Sequence, residues 1–250
     1  MAHPLAMSDR QAAPARRSDW RTLPASSVRR VKAVLFVVAL LPLARLVAAG
    51  VADAAEVPWA AGLTLGANPL EAITHSTGTW ALALLCASLA VTPLRRLTGA
   101  NWLVRLRRML GLYAFFYAAL HFVTYVWFDH WFDVDAIAKD VIKRPFVTVG
   151  FATLLLLVPL ALTSTDRAIR RLGRNWSRLH RLVYLIAPLA VVHYWWLVKR
   201  DVTEPLLWAA AVAVLLGFRL AWRLRAPDGS AGRAAGVTRL AGDKTPVARS

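Results

Sequence analysis

Two histidines stand in stretches apolar enough for a membrane interior, His121 within "YAALHFVTYVW" and His193 within "VVHYWWLVK". A third, His180, opens the run "RLHRLVYLIAPLAVVHYWW", thirteen residues before His193. Imidazole is costly to place in hydrocarbon, so each needs a partner: a proton path, an interhelical hydrogen bond or a metal. Neutral imidazole binds metals through its unprotonated ring nitrogen. The remaining histidines are His75, His130 in "FDHWFD", and His3 near the start of the chain. The single cysteine, Cys86, lies in an apolar block, so there is no disulfide framework and no CxxC motif.

The elements that must position these side chains are membrane helices. Hydrophobic residues make up 58% of the 250-residue chain, against roughly 45–50% in soluble domains. They fall into six segments of near-spanning length, 31–50, 69–94, 108–128, 146–164, 178–198 and 205–224, each close to the roughly 20 residues that cross a hydrocarbon core. The expected fold class is all-α, a polytopic membrane bundle of six transmembrane helices. The second segment has a start signal: Asn68 as N-cap, Pro69 at the first helical position and Glu71 three residues after the cap. Residues 1–25 and 226–250, rich in Ala, Pro, Ser, Gly and Arg, are expected to be disordered cytoplasmic tails flanking one domain over 26–225. The first apolar block starts late and is long enough to span, so no cleavable signal peptide is expected.

A net charge of +17 could point to nucleic acid, but the charges sit where topogenic charges sit. The loop Leu94–Arg108 carries five Arg and no acid, and Asp166–Arg181 carries six Arg and one Asp. Val51–Glu71 has no Lys or Arg, and Asp129–Arg144 has four acids against three bases. By the positive-inside rule the Arg-rich loops and both termini are cytoplasmic, and no nucleic-acid partner is expected.

Helix rise, about 1.5 Å per residue, converts position into depth. His121 and His193, each on an outward-running helix, both lie roughly 20 Å from the cytoplasmic end. His75, on the inward-running second helix, is about 9 Å below the outer surface, and joins the cofactor-binding candidates. Two imidazoles at one depth on different helices are what a haem iron with two axial histidines requires. Interhelical hydrogen bonding without a cofactor is the plainer alternative. His180 lies about 20 Å inward of His193, and Pro188 between them can shift the helical phase. Counting fourteen back from His121 on the third helix reaches Arg107, so the inner level offers His180 opposite an arginine. Arg107 is either a topogenic charge or the partner of a haem propionate or another anionic cofactor.

The stretches "ITHSTGTWAL", "VTPLRRL", "RLRRMLGLYAFFYAALHFVTY", "KRPFVTVG", "LTSTDRAIRRLGRNWSRLHRLVYLIA" and "VVHYWWLVK" cover roughly residues 66–200. Through them the chain resembles the MsrQ (YedZ) family, the haem-binding membrane subunits of the bacterial periplasmic protein-methionine-sulfoxide reductase system, within the wider ferric reductase-like transmembrane group. The resemblance implies a b-type cytochrome of the inner membrane with one haem b or two, an electron-transfer subunit rather than the catalytic one. It implies a periplasmic molybdopterin-dependent reductase as acceptor, and membrane quinones or a cytoplasmic flavin reductase as donor. His121 and His193 match the family's outer haem ligands, His180 matches a histidine implicated in haem binding, and FMN is ascribed to the family without a motif here. Asn68 stands where the family leads one to expect Asp before Pro69; both residues cap helices well. No GxGxxG follows a strand, so the reductant must be a lipid-soluble quinol or another protein. Two other classes are compatible with intramembrane histidines: a proton transporter using them as a relay, disfavoured by the scarcity of acids in the spans, and a stand-alone ferric or metal reductase served by the acidic outer stretch "FDHWFDVD".

Overall fold

The computed structural model describes residues 23–56, 62–198 and 201–225. Of the expected tails, 1–25 and 226–250, residues 1–22 with His3 and all of 226–250 lie outside them, and α1 already begins at Ala25. All regular structure among the described residues is helical. The elements are α1 (Ala25–Ala54), α2 (Pro69–Thr98), α3 (Val104–Thr124), α4 (Val134–Lys143), α5 (Pro145–Leu162), α6 (Asp166–Leu172), α7 (Arg174–Leu179), α8 (Val183–Leu197) and α9 (Thr203–Arg225). Five helical stretches among these residues are long and apolar enough to cross a membrane: α1, α2, α3 with its flanking turns, α5 and α9. Their outer faces carry large apolar side chains, such as Val34, Val37, Leu155, Leu207 and Val214, as a lipid-facing surface requires.

The fifth expected span, 178–198, is not one helix. It breaks into the end of α7, a 3-10 turn His180–Leu182, and the 15-residue α8. At 1.5 Å per residue α8 covers roughly 22 Å, less than a 30 Å hydrocarbon core. The thirteen-residue gap between His180 and His193 therefore contains a tighter turn, with its larger rise and rotation per residue, as well as Pro188 inside α8.

Helix α2 starts as its sequence dictates. Asn68 Oδ1 accepts from the Glu71 backbone N–H, as an N-cap does, and Asn68 Nδ2 donates to Glu71 Oε2 at 2.8 Å, so the Glu71 side chain meets the cap's side-chain amide. The segment 129–144, expected as an outer loop, contains α4. Asp133 caps it by accepting from Ala136 N at 3.0 Å, and Asp135 near its start and Lys143 at its end complement the helix dipole.

The core lies where α2 packs along α3 and α5 packs along α8, with Leu85, Leu89, Ala114, Tyr117, Ile186 and Ala187 among its most buried members. Helix α1 joins through tyrosines of α3. Pro42 interrupts α1, and just there Tyr117 enters the helix ladder. Its hydroxyl donates to Ala39 O at 2.8 Å and accepts from Leu43 N at 3.3 Å, the two groups that would otherwise bond each other. Tyr113 donates to Phe36 O one turn away. An inserted polar group is a recognised way to bend a helix without orphaning its backbone.

Candidate functional site

The two helix pairs α2–α3 and α5–α8 meet around one cavity of about 320 Å³, lined from all four helices and reaching His121 and His193. That volume is within the range of small-molecule and cofactor pockets. The two rings lie with centroids 6.1 Å apart at 77° to each other. Small residues Ala114, Ala118 and Ala190 leave space beside them, and Leu85, Phe122, Phe151 and Leu157 give the walls an apolar character.

Each ring is held by the same device. His121 Nδ1 donates to the Thr74 carbonyl at 2.9 Å, and His193 Nδ1 donates to the Phe146 carbonyl at 2.7 Å. A carbonyl cannot donate, so Nδ1 carries the proton and Nε2 keeps its lone pair. Four residues after each accepting carbonyl comes a glycine, Gly78 on α2 and Gly150 on α5. A helical side chain leans over the turn before it, so a side chain at i+4 would cover the carbonyl at i. A Cβ at Gly78 would come within 3.1 Å of His121 Nδ1, and one at Gly150 within 2.6 Å of His193 Nδ1 and Cε1. The glycines thus open the carbonyls and make room for the rings. They passed unnoticed in the sequence, where a lone helical glycine has many uses; the signal available was their recurrence in "THSTG" and "FVTVG".

The His121 end has further support. Thr124 donates to the His121 carbonyl at 2.7 Å, and Thr74 donates to Thr124 Oγ1 at 3.2 Å. Helix α3 then widens into a π-helical turn, Tyr125–Asp129, a feature common near functional sites. At that end Arg144, another cavity-lining residue, binds Asp140 through Nε at 2.9 Å, and Asp140 also accepts from the Tyr125 hydroxyl at 2.9 Å. This guanidinium beside an apolar cavity was not singled out from sequence.

His75 lies in the cavity wall but is not turned to the facing pair. Its Nε2 donates to the Tyr194 hydroxyl at 3.2 Å, which in turn donates to Glu204 at 2.6 Å. The same His75 lines a second, open recess of about 480 Å³ with Asn68, Glu71 and Glu204. His180 is elsewhere. It stacks on Trp176 with ring centroids 4.0 Å apart, donates Nδ1 to the Trp176 carbonyl at 3.0 Å, and leaves Nε2 buried without a partner. Arg107 lies within its electrostatic reach, and no second histidine ring packs against it among the described residues.

Among the described residues no three His, Cys, Asp or Glu converge on a bare metal ion. Two imidazole–metal bonds of about 2 Å, with the half-width of each ring added, separate ring centres by roughly 6 Å. The facing pair therefore suits a metal that takes one nitrogen from each side and brings its remaining ligands with it.

Residues 77–191, which hold His121 and end two residues before His193, match the model of the ferric reductase like transmembrane component family. The protein-methionine-sulfoxide reductase heme-binding subunit MsrQ of Herminiimonas arsenicoxydans is 54% identical over 195 residues, 77% of this chain and 85% of that protein. The chain belongs to the MsrQ family. The MsrQ of Ralstonia nicotianae is 52% identical over 80% of this chain and 89% of its own length. The MsrQ of Xanthomonas campestris pv. campestris is 57% identical over 65% of this chain and 74% of its own length. No solved structure matches the chain. As an MsrQ-family chain with five apolar spanning stretches, it is a multi-pass membrane protein.

Proposed function

We propose that this chain is the haem-binding, electron-transferring membrane subunit of a protein-methionine-sulfoxide reductase system, with His121 and His193 as axial ligands of a haem b. The observation that carries this reading is the facing pair itself: two rings 6.1 Å apart on one cavity, each with Nδ1 committed to a backbone carbonyl. The printed names of the relatives, heme-binding subunits, support it. Such a haem supplies a one-electron carrier. This chain's residues hold it, fix the tautomer of both ligands through Thr74 and Phe146, and exclude water with the apolar wall of Leu85, Phe122, Phe151 and Leu157. Arg144 at the cavity edge is suited to a haem carboxylate.

The wider reading has α1, α2, α3, α5, α8 and α9 cross the bacterial inner membrane, with both termini cytoplasmic. Short α8 spans together with the turn before it. Electrons enter from the quinone pool or a cytoplasmic flavin reductase and leave outward to a periplasmic molybdopterin-dependent reductase. His180 is the candidate ligand for a second haem. FMN, implied by resemblance, has no residue assigned.

The test is an absorption spectrum of the full chain purified from a haem-sufficient host. A strong Soret band with sharp visible bands after dithionite is expected, together with reoxidation by the methionine-sulfoxide-reducing partner faster than by ferric chelates. A folded, colourless preparation would sink the haem reading. Faster reoxidation by ferric chelates would point instead to a stand-alone metal reductase.

A further inference from the structure

Helix α4 connects two spanning stretches, the one that ends at Asp129 and the one that starts at Pro145. Asp140 of α4 binds both Tyr125, just past α3, and Arg144, just before α5. The segment between the spans is thereby held at one bilayer surface, the one nearer His121 and His193. At about 100° per residue, α4 presents three different sides. Ile137, Asp140 and Val141 form one side; all are half-buried, and Val141 lines the histidine cavity. Asp135, Lys139 and Lys143 form a charged, exposed side away from it. Between the two runs Val134, Ala138 and Ile142, one residue in four, with Val134 74% and Ile142 82% exposed.

The turn before α4 adds two aromatic rings to this apolar surface. Trp131 and Phe132 have φ of 47° and 63°, in the left-handed region that bulky side chains rarely occupy. Their N–H groups donate back to the Trp127 carbonyl at 3.1 Å and the Val126 carbonyl at 3.0 Å, which fixes the turn at the end of the π-helical stretch. Asn or Gly would adopt this turn with less strain. Two of the largest apolar side chains stand there instead, 78% and 60% exposed. Strain kept at such a place points to a function for the rings. They also extend an exposed strip at the end of α3, Val123 and Trp127, with the Trp127 and Phe132 rings 6.4 Å apart.

We infer that Trp131, Phe132 and the Val134–Ala138–Ile142 stripe dock on lipid, at the boundary between headgroups and acyl chains of the leaflet nearer His121 and His193. An amphipathic helix lies in that plane with its apolar side toward the acyl chains, and tryptophan is favoured at the same depth. Lys139 and Lys143, on the charged side, keep their ammonium groups in the headgroup water. The occupant is lipid because the patch continues the lipid-facing strip of α3 without a break. One side of α4 thus walls the histidine cavity and the next rests on the bilayer. The anchor is independent of the haem assignment.

The experiment uses the full-length protein in nanodiscs of phosphatidylethanolamine and phosphatidylglycerol holding one copy each. In a Cys86→Ala background, Ile142→Cys supplies the sole thiol for a polarity-sensitive fluorophore, and Lys139→Cys, on the charged side, is the control. Both labelled positions are exposed, so neither substitution disturbs packing. A nitroxide near the headgroup end of the acyl chain is expected to quench the Ile142→Cys label at least about three-fold more than the Lys139→Cys label, and aqueous iodide the reverse. Trp131→Asn with Phe132→Gly keeps the turn and should cut the nitroxide quenching about two-fold without lowering the thermal midpoint in detergent. Equal responses of the two labels overturn the lipid anchor. So does an Ile142→Cys label open to iodide until a methionine-sulfoxide-reducing subunit is added, which assigns the patch to a protein partner. Shielding seen only in nanodiscs with two copies overturns it in favour of a second copy of this chain. Quenching unchanged in the Trp131→Asn, Phe132→Gly variant overturns the part given to the aromatic pair.

Discussion

The pairs α2–α3 and α5–α8 solve one problem twice. In each, an inward-packed histidine donates to a carbonyl 47 residues earlier in the chain, and a glycine four residues past that carbonyl clears the space. The surroundings differ. α2 is a 30-residue helix with an Asn68 side-chain cap, and α3 is fastened through Tyr117 to α1. α8 has 15 residues, is interrupted by Pro188 and begins in a 3-10 turn. Gly150 sits closer to its histidine than Gly78 does. The His193 seat thus relies on a close fit at one glycine, whereas the His121 seat is braced by neighbours. Matching geometry can be reached with very different local stability.

Removing either ring abolishes the pair and should have the largest effect. His121→Ala and His193→Ala are each expected to remove most of the dithionite-reduced Soret signal, while His180→Ala leaves the outer-pair bands in place. Retention of the full spectrum by both alanine variants would break the assignment. The glycines separate the two seats. Gly150→Ala puts a methyl 2.6 Å from the His193 ring, a contact that must displace ring or helix, and haem occupancy should fall about ten-fold or more, in the range seen when outer-shell partners of metal ligands are lost. Gly78→Ala meets His121 at 3.1 Å, and a shift of a few tenths of an ångström relieves it, so most of the haem should remain. Equal losses at the two glycines would show that the seats do not differ as described.

How much of this was legible beforehand depended on range. Depth along a helix is local arithmetic, and it brought His121 and His193 to one level before any contact was known. The Asn68–Pro69–Glu71 start is equally local and formed as expected. Seats are not local: Gly78 matters because a ring from α3 arrives over it, and nothing within α2 announces that arrival. Arg219 was absorbed into an apolar span because its partners, Thr92 and Tyr184, lie on other helices. The break at His180–Leu182 was hidden because hydropathy measures length in residues and is blind to a change of helix type. Ten-residue α4 was concealed in a charged segment whose cap and dipole signals are short.

The brace on α3 can be weakened without touching the cavity. Tyr117→Phe keeps the ring but deletes the hydroxyl that bridges Ala39 O and Leu43 N. Two buried bonds are lost and the helix ladder of α1 must close again beside Pro42, at a cost of about 1–2 kcal/mol. The expected result is a lower thermal midpoint with the reduced spectrum intact. An unchanged midpoint would mean that α1 does not brace the α2–α3 half.

The smallest effect concerns the link between the halves, where Arg108 at the base of α3 pairs with Asp166 at the start of α6. Both are exposed, and the Arg108 guanidinium beside Asp166 holds its carboxyl below the usual carboxylate value. A depressed folded-state value gives stability that is present above the unfolded pKa, about 3.9, and is lost as pH falls through the folded one. From pH 5 to 8 the pair should therefore contribute a constant amount, reduced by salt as exposed pairs are. Asp166→Asn should lower the thermal midpoint slightly at pH 7 and low ionic strength, and the difference from wild type should shrink as the pH falls below the unfolded carboxylate value, about 3.9. A difference that instead grew as the pH fell would give Asp166 the opposite sign, and the two halves would have to be joined by packing alone.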